Sequence, residues 1–360
     1  MIIYFFFFLL SIYLLINLFI IYFTQKNEKP AETKNYKSLT FSIIISLKNE
    51  EYNIKNLIDS LKDINYNINN YEIIFIDDNS SDNTFELIHN FSACLSNFKI
   101  LTSKNKIYPA KKGALDIGIK EAKNDYILIT DADCIIPTDW INEYNKKFNN
   151  NFHLVFGASP FIQKSSFINK FSCFENLRTL ILTFFASKIN FPYSAAARNI
   201  GFKKSFYFKI DGFSNMLDTY SGDDDLLIRE AIKNNAKIGV LTNNNSFVYS
   251  STKNTVSNFL KQKFRHTSTS YHYSLKQLIF PFVWHVINIF LLFSVFLFQM
   301  DKLFLIPFLI KLVIDIFVNK FFQKQYNYSF SLVELFFFQM FYEIFIILKF
   351  PISYFYKKKW

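Results

Sequence analysis

Three acidic clusters stand at the ends of apolar runs, and their spacing is the clearest chemical signal in this 360-residue chain. Tyr71-Glu72-Ile73-Ile74-Phe75-Ile76 leads into Asp77-Asp78-Asn79-Ser80-Ser81-Asp82. Tyr126-Ile127-Leu128-Ile129-Thr130 leads into Asp131-Ala132-Asp133, and Ser221-Gly222 precedes Asp223-Asp224-Asp225. The first two runs are short, continuously apolar and rich in β-branched residues, so they read as buried parallel strands. Ligands of an open α/β sheet bind beyond the carboxyl ends of its strands. Acids delivered there are therefore placed at a site. Two hard carboxylates one residue apart, Asp131 and Asp133, suit a divalent cation such as Mg²⁺ or Mn²⁺ that also holds phosphate oxygens. The pattern points to a nucleotide-diphosphate substrate.

The elements that would position these acids follow from periodicity. Phe41 to Ser46 reads as a further strand, and Phe98 to Leu101 as a short one. Between them, Asn53 to Ile64 carries apolar residues at helical spacing (Ile54, Leu57, Ile58, Leu61). A helix is expected to open at Lys111-Lys112-Gly113, and another over Leu226 to Lys233. Alternation of this kind predicts βαβ units and a mostly parallel, Rossmann-like α/β domain over residues 39–274.

Both flanks differ in composition. Ile2 to Phe23 is uncharged and apolar, long enough to span a bilayer. It lacks the basic start, short apolar stretch and small-residue cleavage site of a signal peptide, so residues 1–24 read as a retained anchor. Lys26, Lys29, Lys34 and Lys37 follow it and no Lys or Arg precedes it. The excess of cations on the cytoplasmic side then places the next domain in the cytoplasm, at the inner membrane of a multi-pass protein. The region 277–356 is apolar again. Leu278 to Phe298 reads as one span, and Leu303 to Val318 as a second, interrupted by Lys311 and Asp315. The segment Phe330 to Tyr356 is broken by Glu334, Glu343, Lys349 and Pro351 and precedes Lys357-Lys358-Lys359-Trp360. A third crossing would leave that basic tail outside, so an interfacial or re-entrant last segment is the expectation.

The composition excludes some classes. Half the chain is hydrophobic, 47 residues are Phe and the net charge is +11. There is no basic stripe with interleaved stacking aromatics, so no nucleic-acid partner is expected. Lysines beside apolar segments fit a membrane surface. Cys94, Cys134 and Cys173 have no metal-binding or disulfide spacing.

Six segments in this order resemble the membrane-bound branch of the family 2 glycosyltransferases, which includes cellulose-synthase-like and ceramide-glucosyltransferase-like enzymes. They are Ile43 to Glu50 (IIISLKNE), Ile76 to Thr84 (IDDNSSDNT), Lys111 to Ile119 (KKGALDIGI), Ile129 to Cys134 (ITDADC), Gly222 to Leu226 (GDDDL) and Gln262 to Arg265 (QKFR). The resemblance implies a GT-A fold and transfer of a sugar from a nucleotide-sugar, UDP-linked by expectation, to a hydroxyl with inversion.

It also implies roles for particular residues. Donor binding falls to Ser46, Asn49, Glu50, Asp77, Asp78, Lys112, Gly113, Asp131, Gln262 and Arg265, with Asp78 contacting the base. A carboxylate there can accept the imide N–H of uracil. Asp131 and Asp133 match the DxD motif and would hold the metal, Asp133 above all. In related enzymes the second acid of the late cluster is the general base. That residue is Asp224 here, or Asp223 if the register shifts by one. Gln262 and Arg265 lie one helical turn apart, and an Arg can neutralise a leaving diphosphate. His266 stands where the family motif QxxRW has Trp, which bears on the acceptor. Asn199, in Ala197-Arg198-Asn199, is placed for sugar hydroxyls by resemblance, or for a strand and turn by its local pattern. The apolar flanks imply a lipid-linked or polysaccharide acceptor, as in cell-envelope glycans. Processive polymer synthesis, or an inactive nucleotide-sugar-binding membrane scaffold, are the alternatives.

Overall fold

Ile43, Ile44 and Ile45 are all fully buried, as only a strand covered on both faces allows. They lie in β1 (Phe41–Leu47), near the middle of a seven-stranded sheet. The computed structural model describes residues 1–25 and 36–355. Lys26, Lys29 and Lys34 of the expected cytoplasmic cluster, and the tail Lys357-Lys358-Lys359-Trp360, lie outside the described residues.

The chain opens with α1 (Ile2–Gln25). Next come β1, α2 (Ile54–Lys62), β2 (Tyr71–Asp77), α3 (Thr84–Ser92), β3 (Phe98–Thr102), α4 (Ala110–Glu121) and β4 (Tyr126–Asp131). After β5 (Cys134–Ile135) and α5 (Trp140–Phe148) follow β6 (Leu154–Gly157), α6 (Phe167–Lys188), β7 (Ile200–Lys203) and α7 (Lys204–Lys209). The domain closes with α8 (Asp225–Lys233), β8 (Ile238–Leu241), β9 (Tyr249–Ser250) and α9 (Val256–Thr269). Then come α10 (Leu275–Phe293), α11 (Leu305–Phe322) and α12 (Leu332–Tyr354).

The sheet order is β3-β2-β1-β4-β7-β6-β8, and β7 runs antiparallel to both its neighbours. The strands expected from apolar patterning occur, as β1, β2, β3 and β4, and pair in parallel. Their register places Leu47 opposite Asp77 and Ser46 opposite Asp131. The acids therefore come out level at one edge of the sheet. Side chains alternate between its faces. Ile43 and Ile45 join a core with α2 and with Trp140 and Tyr144 of α5. Ile44 faces α4, where Gly118 lets the helix approach closely. A Cβ there would lie 2.6 Å from Ile76 Cδ1 and 2.7 Å from Ile44 Cγ2.

This second core continues without a break into the apolar helices. Tyr13 of α1, the α6 side chains, Trp284 and Leu291 of α10 and Phe338 of α12 belong to it. Inside it lies a balanced set of charges. Arg178 of α6 donates to Asp315 Oδ1 at 3.1 Å, as does Tyr13 OH at 2.7 Å. Lys311 pairs with Asp315 one turn along α11, and Glu343 of α12 lies 4.0 Å from both Arg178 and Lys311. Two cations face two carboxylates, which is how buried charge is tolerated.

By length and composition α1, the stretch Leu275–Leu297 and α12 qualify as membrane spans. α11, which carries Lys311, Asp315 and Lys320, does not meet that criterion. The last segment is a single helix of 23 residues. Both of its ends contact the sheet domain. Glu334, in its first turn, pairs with Lys170 at 2.6 Å, and Phe350 O, near its end, accepts from Tyr271 OH at 2.5 Å. Between them Phe345 stacks on Phe259 of α9, ring centroids 5.7 Å apart. The helix thus runs alongside α9, across the domain.

Candidate active site

The strand ends, the late acid cluster and α9 converge on one cavity of about 1140 Å³. Ser46 and Glu50 reach it from the end of β1, Asp78 from β2, and Asp131 and Asp133 from β4. Asp223, Asp224 and Asp225 enter from the start of α8, and Gln262, Arg265 and His266 from α9. Three acids fit into so tight a turn because Gly222 adopts φ +86°, which a side chain would resist.

Asp78 is 3% exposed. Its Oδ1 accepts from Ser103 Oγ and Lys106 Nζ, while its buried Oδ2 has no hydrogen-bond partner among the described residues. An acceptor left open beside a cavity is what a donor N–H of a ligand would fill.

Lys111 spans the acid clusters, its Nζ 2.5 Å from Asp131 Oδ1 and 3.0 Å from Asp223 Oδ2. Burial works against the ammonium, yet the two carboxylates outweigh it and raise its pKa. The same contact governs Asp223: burial pushes its carboxyl up, and Lys111 overrides this to hold it below the ordinary value. Asp224 has no such partner. Burial first, then the neighbouring Asp225 and Asp223 charges, raise it well above the ordinary carboxylate value. Its two oxygens accept the backbone N–H groups of Asp225 at 2.7 Å and Ala197 at 3.0 Å. A carboxylate has about four lone-pair sites, so acceptor capacity remains for a proton. Burial, then Asp131, raises Asp133, and burial raises Glu50. His266 is driven well below its ordinary pKa by burial and then by Arg265, Lys263 and Arg198, so its imidazole is neutral.

Several expected site residues lie elsewhere. Lys112 is fully buried and donates to the backbone carbonyls of Met216 and Thr219, because the turn of α4 aims it inward and Lys111 at the cavity. Gly113 serves packing: a Cβ would come 2.1 Å from Tyr108 O. Asn199 is a core residue. Its Oδ1 accepts from Trp140 Nε1 and Tyr144 OH at 2.9 Å each, and its Nδ2 donates to Ala158 O and Ser246 O. No valence remains for a sugar. Asn49 holds a turn with φ +56° and accepts from Ser81 N at 2.8 Å. Asp77 caps the next turn at Ser80 N. Conversely, Lys48, Arg198, Lys253, Tyr193 and Glu175 line the cavity although the motifs did not mark them as site residues. Arg198 sits between two residues already singled out, and Lys48 lies inside the first motif. Glu175 carried no signal, since nothing local distinguishes it from a solvated helix residue.

A divalent cation was expected at Asp131 and Asp133. Among the described residues no group of three or more His, Cys, Asp or Glu side chains converges to hold a metal ion unaided. Two carboxylates at one rim, one of them drawing the Lys111 ammonium as a cation, do suit a Mg²⁺-type site completed by phosphate oxygens and water.

Residues 42–208 match the family model of glycosyl transferase family 2. The mannosyltransferase PcManGT from Pyrobaculum calidifontis, solved in complex with GDP-Man and Mn²⁺, aligns over 100% of both chains with TM-score 0.59 and 12% identity. S. aureus TarS 1-349 in complex with UDP-GlcNAc aligns over 88% of this chain and 89% of its own, with TM-score 0.46 and 15% identity. Against another S. aureus TarS structure the chain covers 40% of that chain's length, with 71% of its own residues, TM-score 0.46 and 17% identity. At such identities the likeness is one of fold. No curated protein matches the chain.

Proposed function

We propose that this chain, whose residues 42–208 match the family 2 glycosyltransferases and whose fold is that of PcManGT, moves a sugar from a nucleotide-sugar, UDP-linked, to a hydroxyl of a lipid-linked acceptor at the cytoplasmic face of the inner membrane, with inversion. The observation that carries this is the extent of the cavity. It begins at Ser46, Asp78 and Asp131 and ends between α10 and α12, at Leu278, Phe282, Ile346 and Phe350. A nucleotide fits the first end and an alkyl chain the second.

In this reading Asp78 Oδ2 accepts the imide N–H of the base, which selects uracil. Asp131 and Asp133 would hold a Mg²⁺ or Mn²⁺ ion, which neutralises the diphosphate when bound. Lys111 and Arg265 add fixed positive charge beside the leaving group. Asp224 takes the proton of the acceptor hydroxyl as its oxygen bonds to the anomeric carbon and the bond to the diphosphate breaks. Its raised pKa favours that role.

The topology that agrees with these contacts has α1, α10 and α11 crossing the bilayer and α12 lying in the interface, with both its ends against the domain. That arrangement keeps the domain and the basic tail on the cytoplasmic side. The test is nucleotide binding by the full chain in detergent with Mn²⁺, followed by donor turnover. UDP should bind more tightly than GDP, and EDTA should abolish turnover. Failure of UDP to bind would overturn the reading.

A further inference from the structure

The cavity changes character at three charged side chains from three helices: Glu175 of α6, Lys263 of α9 and Lys349 of α12. On the sheet side the walls are polar, with the acid clusters and the cations Lys111, Arg198 and Arg265. Below the three charged side chains they are Leu278, Ile279, Phe282, Ile346 and Phe350. We propose that this throat binds the phosphate group of an anionic lipid, the acceptor's own headgroup, with its alkyl chain running between α10 and α12. The proposal rests on the transferase reading for its reaction, but not for its binding chemistry.

Charge carries the argument. Lys263 Nζ donates to Glu175 Oε2, while Lys349 Nζ stands 3.6 Å from Glu175 Oε1, a looser pair. The three side chains are 6, 14 and 12% exposed for Glu175, Lys263 and Lys349. Two ammonium groups therefore share one carboxylate, and these three largely buried side chains carry a net charge of +1. Such an excess is costly unless an anion balances it.

Among the described residues, no carboxylate other than Glu175 pairs with Lys263 or Lys349. His266 is kept neutral partly by Lys263. His285 faces Glu343 at 3.9 Å, and that carboxylate already belongs to the Arg178 and Lys311 set. Burial would raise the Glu175 carboxyl, but the two lysines outweigh it and hold it ionised, so its charge is already counted. A phosphate offers several oxygens to both ammonium groups at once. An apolar chain behind it would occupy the lower walls, which water fills poorly.

The throat adjoins the candidate base. Tyr193, Glu175, Asp224 and Asp225 all line the same cavity. In the transfer, the sugar's anomeric carbon loses its bond to the diphosphate oxygen and gains one to the acceptor hydroxyl oxygen. The proton passes to Asp224, and the throat phosphate is held without being consumed.

The test measures binding of three probes to the full chain in nanodiscs of zwitterionic lipid: hexadecyl phosphate, hexadecanol and inorganic phosphate. Hexadecyl phosphate should bind at least about tenfold more tightly than either of the others, as expected for one charge-assisted contact or more. Lys349→Gln should lose that preference, Lys349→Arg should keep it, and Glu175→Gln, which frees both ammonium groups, should strengthen it. Equal binding of hexadecanol and hexadecyl phosphate would overturn the proposal, as would inorganic phosphate binding as tightly as the lipid. A Lys349→Gln variant that melts normally and keeps the preference would also overturn it. UDP binding is measured separately. If hexadecyl phosphate binds and UDP does not, the throat stands and the transferase reading falls.

Discussion

Asp224→Asn separates base catalysis from structure at one residue. The carboxylate receives two backbone N–H groups, from Asp225 and Ala197, one on each oxygen. An Asn amide has one oxygen, so one of these donors must face an NH₂ group. Losing a hydrogen bond to a charged acceptor costs about 1.5–3 kcal/mol. Removing one of three adjacent negative charges offsets part of that. Even the full loss, set against a stability of about 5 kcal/mol or more, leaves over about nine-tenths of the chain folded. The loss of a general base is larger where it counts: about 10²–10⁴-fold in turnover, or about 3–5.5 kcal/mol in the barrier. The assay is donor turnover in detergent, with melting temperature and UDP affinity measured on the same preparation. The expected result is a collapse of turnover with a small drop in melting temperature and near-normal UDP binding. The pH profile gives a second readout. Turnover requires the ionised carboxyl, whose pKa is raised above 3.8. Wild-type turnover should therefore fall, as pH decreases, at a pH above the ordinary carboxylate range. Asp225→Asn removes the stronger of the two neighbouring charges and should move that limb to lower pH. Normal turnover in Asp224→Asn would refute the reasoning. If Asp223→Asn alone is inactive, the base is Asp223.

The two adjacent lysines should diverge. Lys112→Met leaves the carbonyls of Met216 and Thr219 without their donor and should lower the melting temperature, at a cost of about 1–3 kcal/mol per orphaned group. Lys111→Met leaves Asp131 and Asp223 without their cation and should also lower the melting temperature, but, unlike Lys112→Met, it should weaken UDP binding about tenfold or more. Asn199→Leu removes four internal hydrogen bonds and should destabilise by at least about 3 kcal/mol, read by thermal melting. Cys94 is exposed on the domain, so a membrane-impermeant maleimide should label it in lysed cells and leave it unlabelled in intact ones. Labelling in intact cells would put the domain outside.

The strands that deliver the acids were legible because their burial leaves no room for polar residues: Ile43 to Ile45 and Ile73 to Ile76 announce themselves. β7 was not, since Ile200-Gly201-Phe202 is too short to show a period and its neighbours β4 and β6 are chosen by tertiary contact. Lys111 and Lys112 are equivalent by composition. Which one faces the ligand depends on where α4 starts, and residue boundaries are the weakest part of any pattern. Asn199 looked like a ligand because it is polar within a motif, yet its four partners come from Trp140, Tyr144, Ala158 and Ser246, remote in sequence. Glu175 and Arg178 lie in a helix whose polar residues look solvent-facing until α9, α11 and α12 pack around them.

That last contact has a consequence for how the protein is made. Arg178 belongs to the sheet domain's own helix, while Asp315 and Glu343 arrive near the end of synthesis. Lys311 and Asp315 can neutralise each other within α11, being one turn apart. On its own helix Glu343 accepts only from a neutral donor, Gln339 at 3.1 Å, and the cations nearest it are Lys311 and Arg178. That set is complete only once the domain that left the ribosome earlier has folded and come within reach. Packing of the final helices therefore depends on the domain. A chain whose domain misfolds leaves Glu343 without Arg178. Cutting the gene after α9 would strip Arg178 of its counter-ions and uncover the apolar face of α6 that α10, α11 and α12 bury.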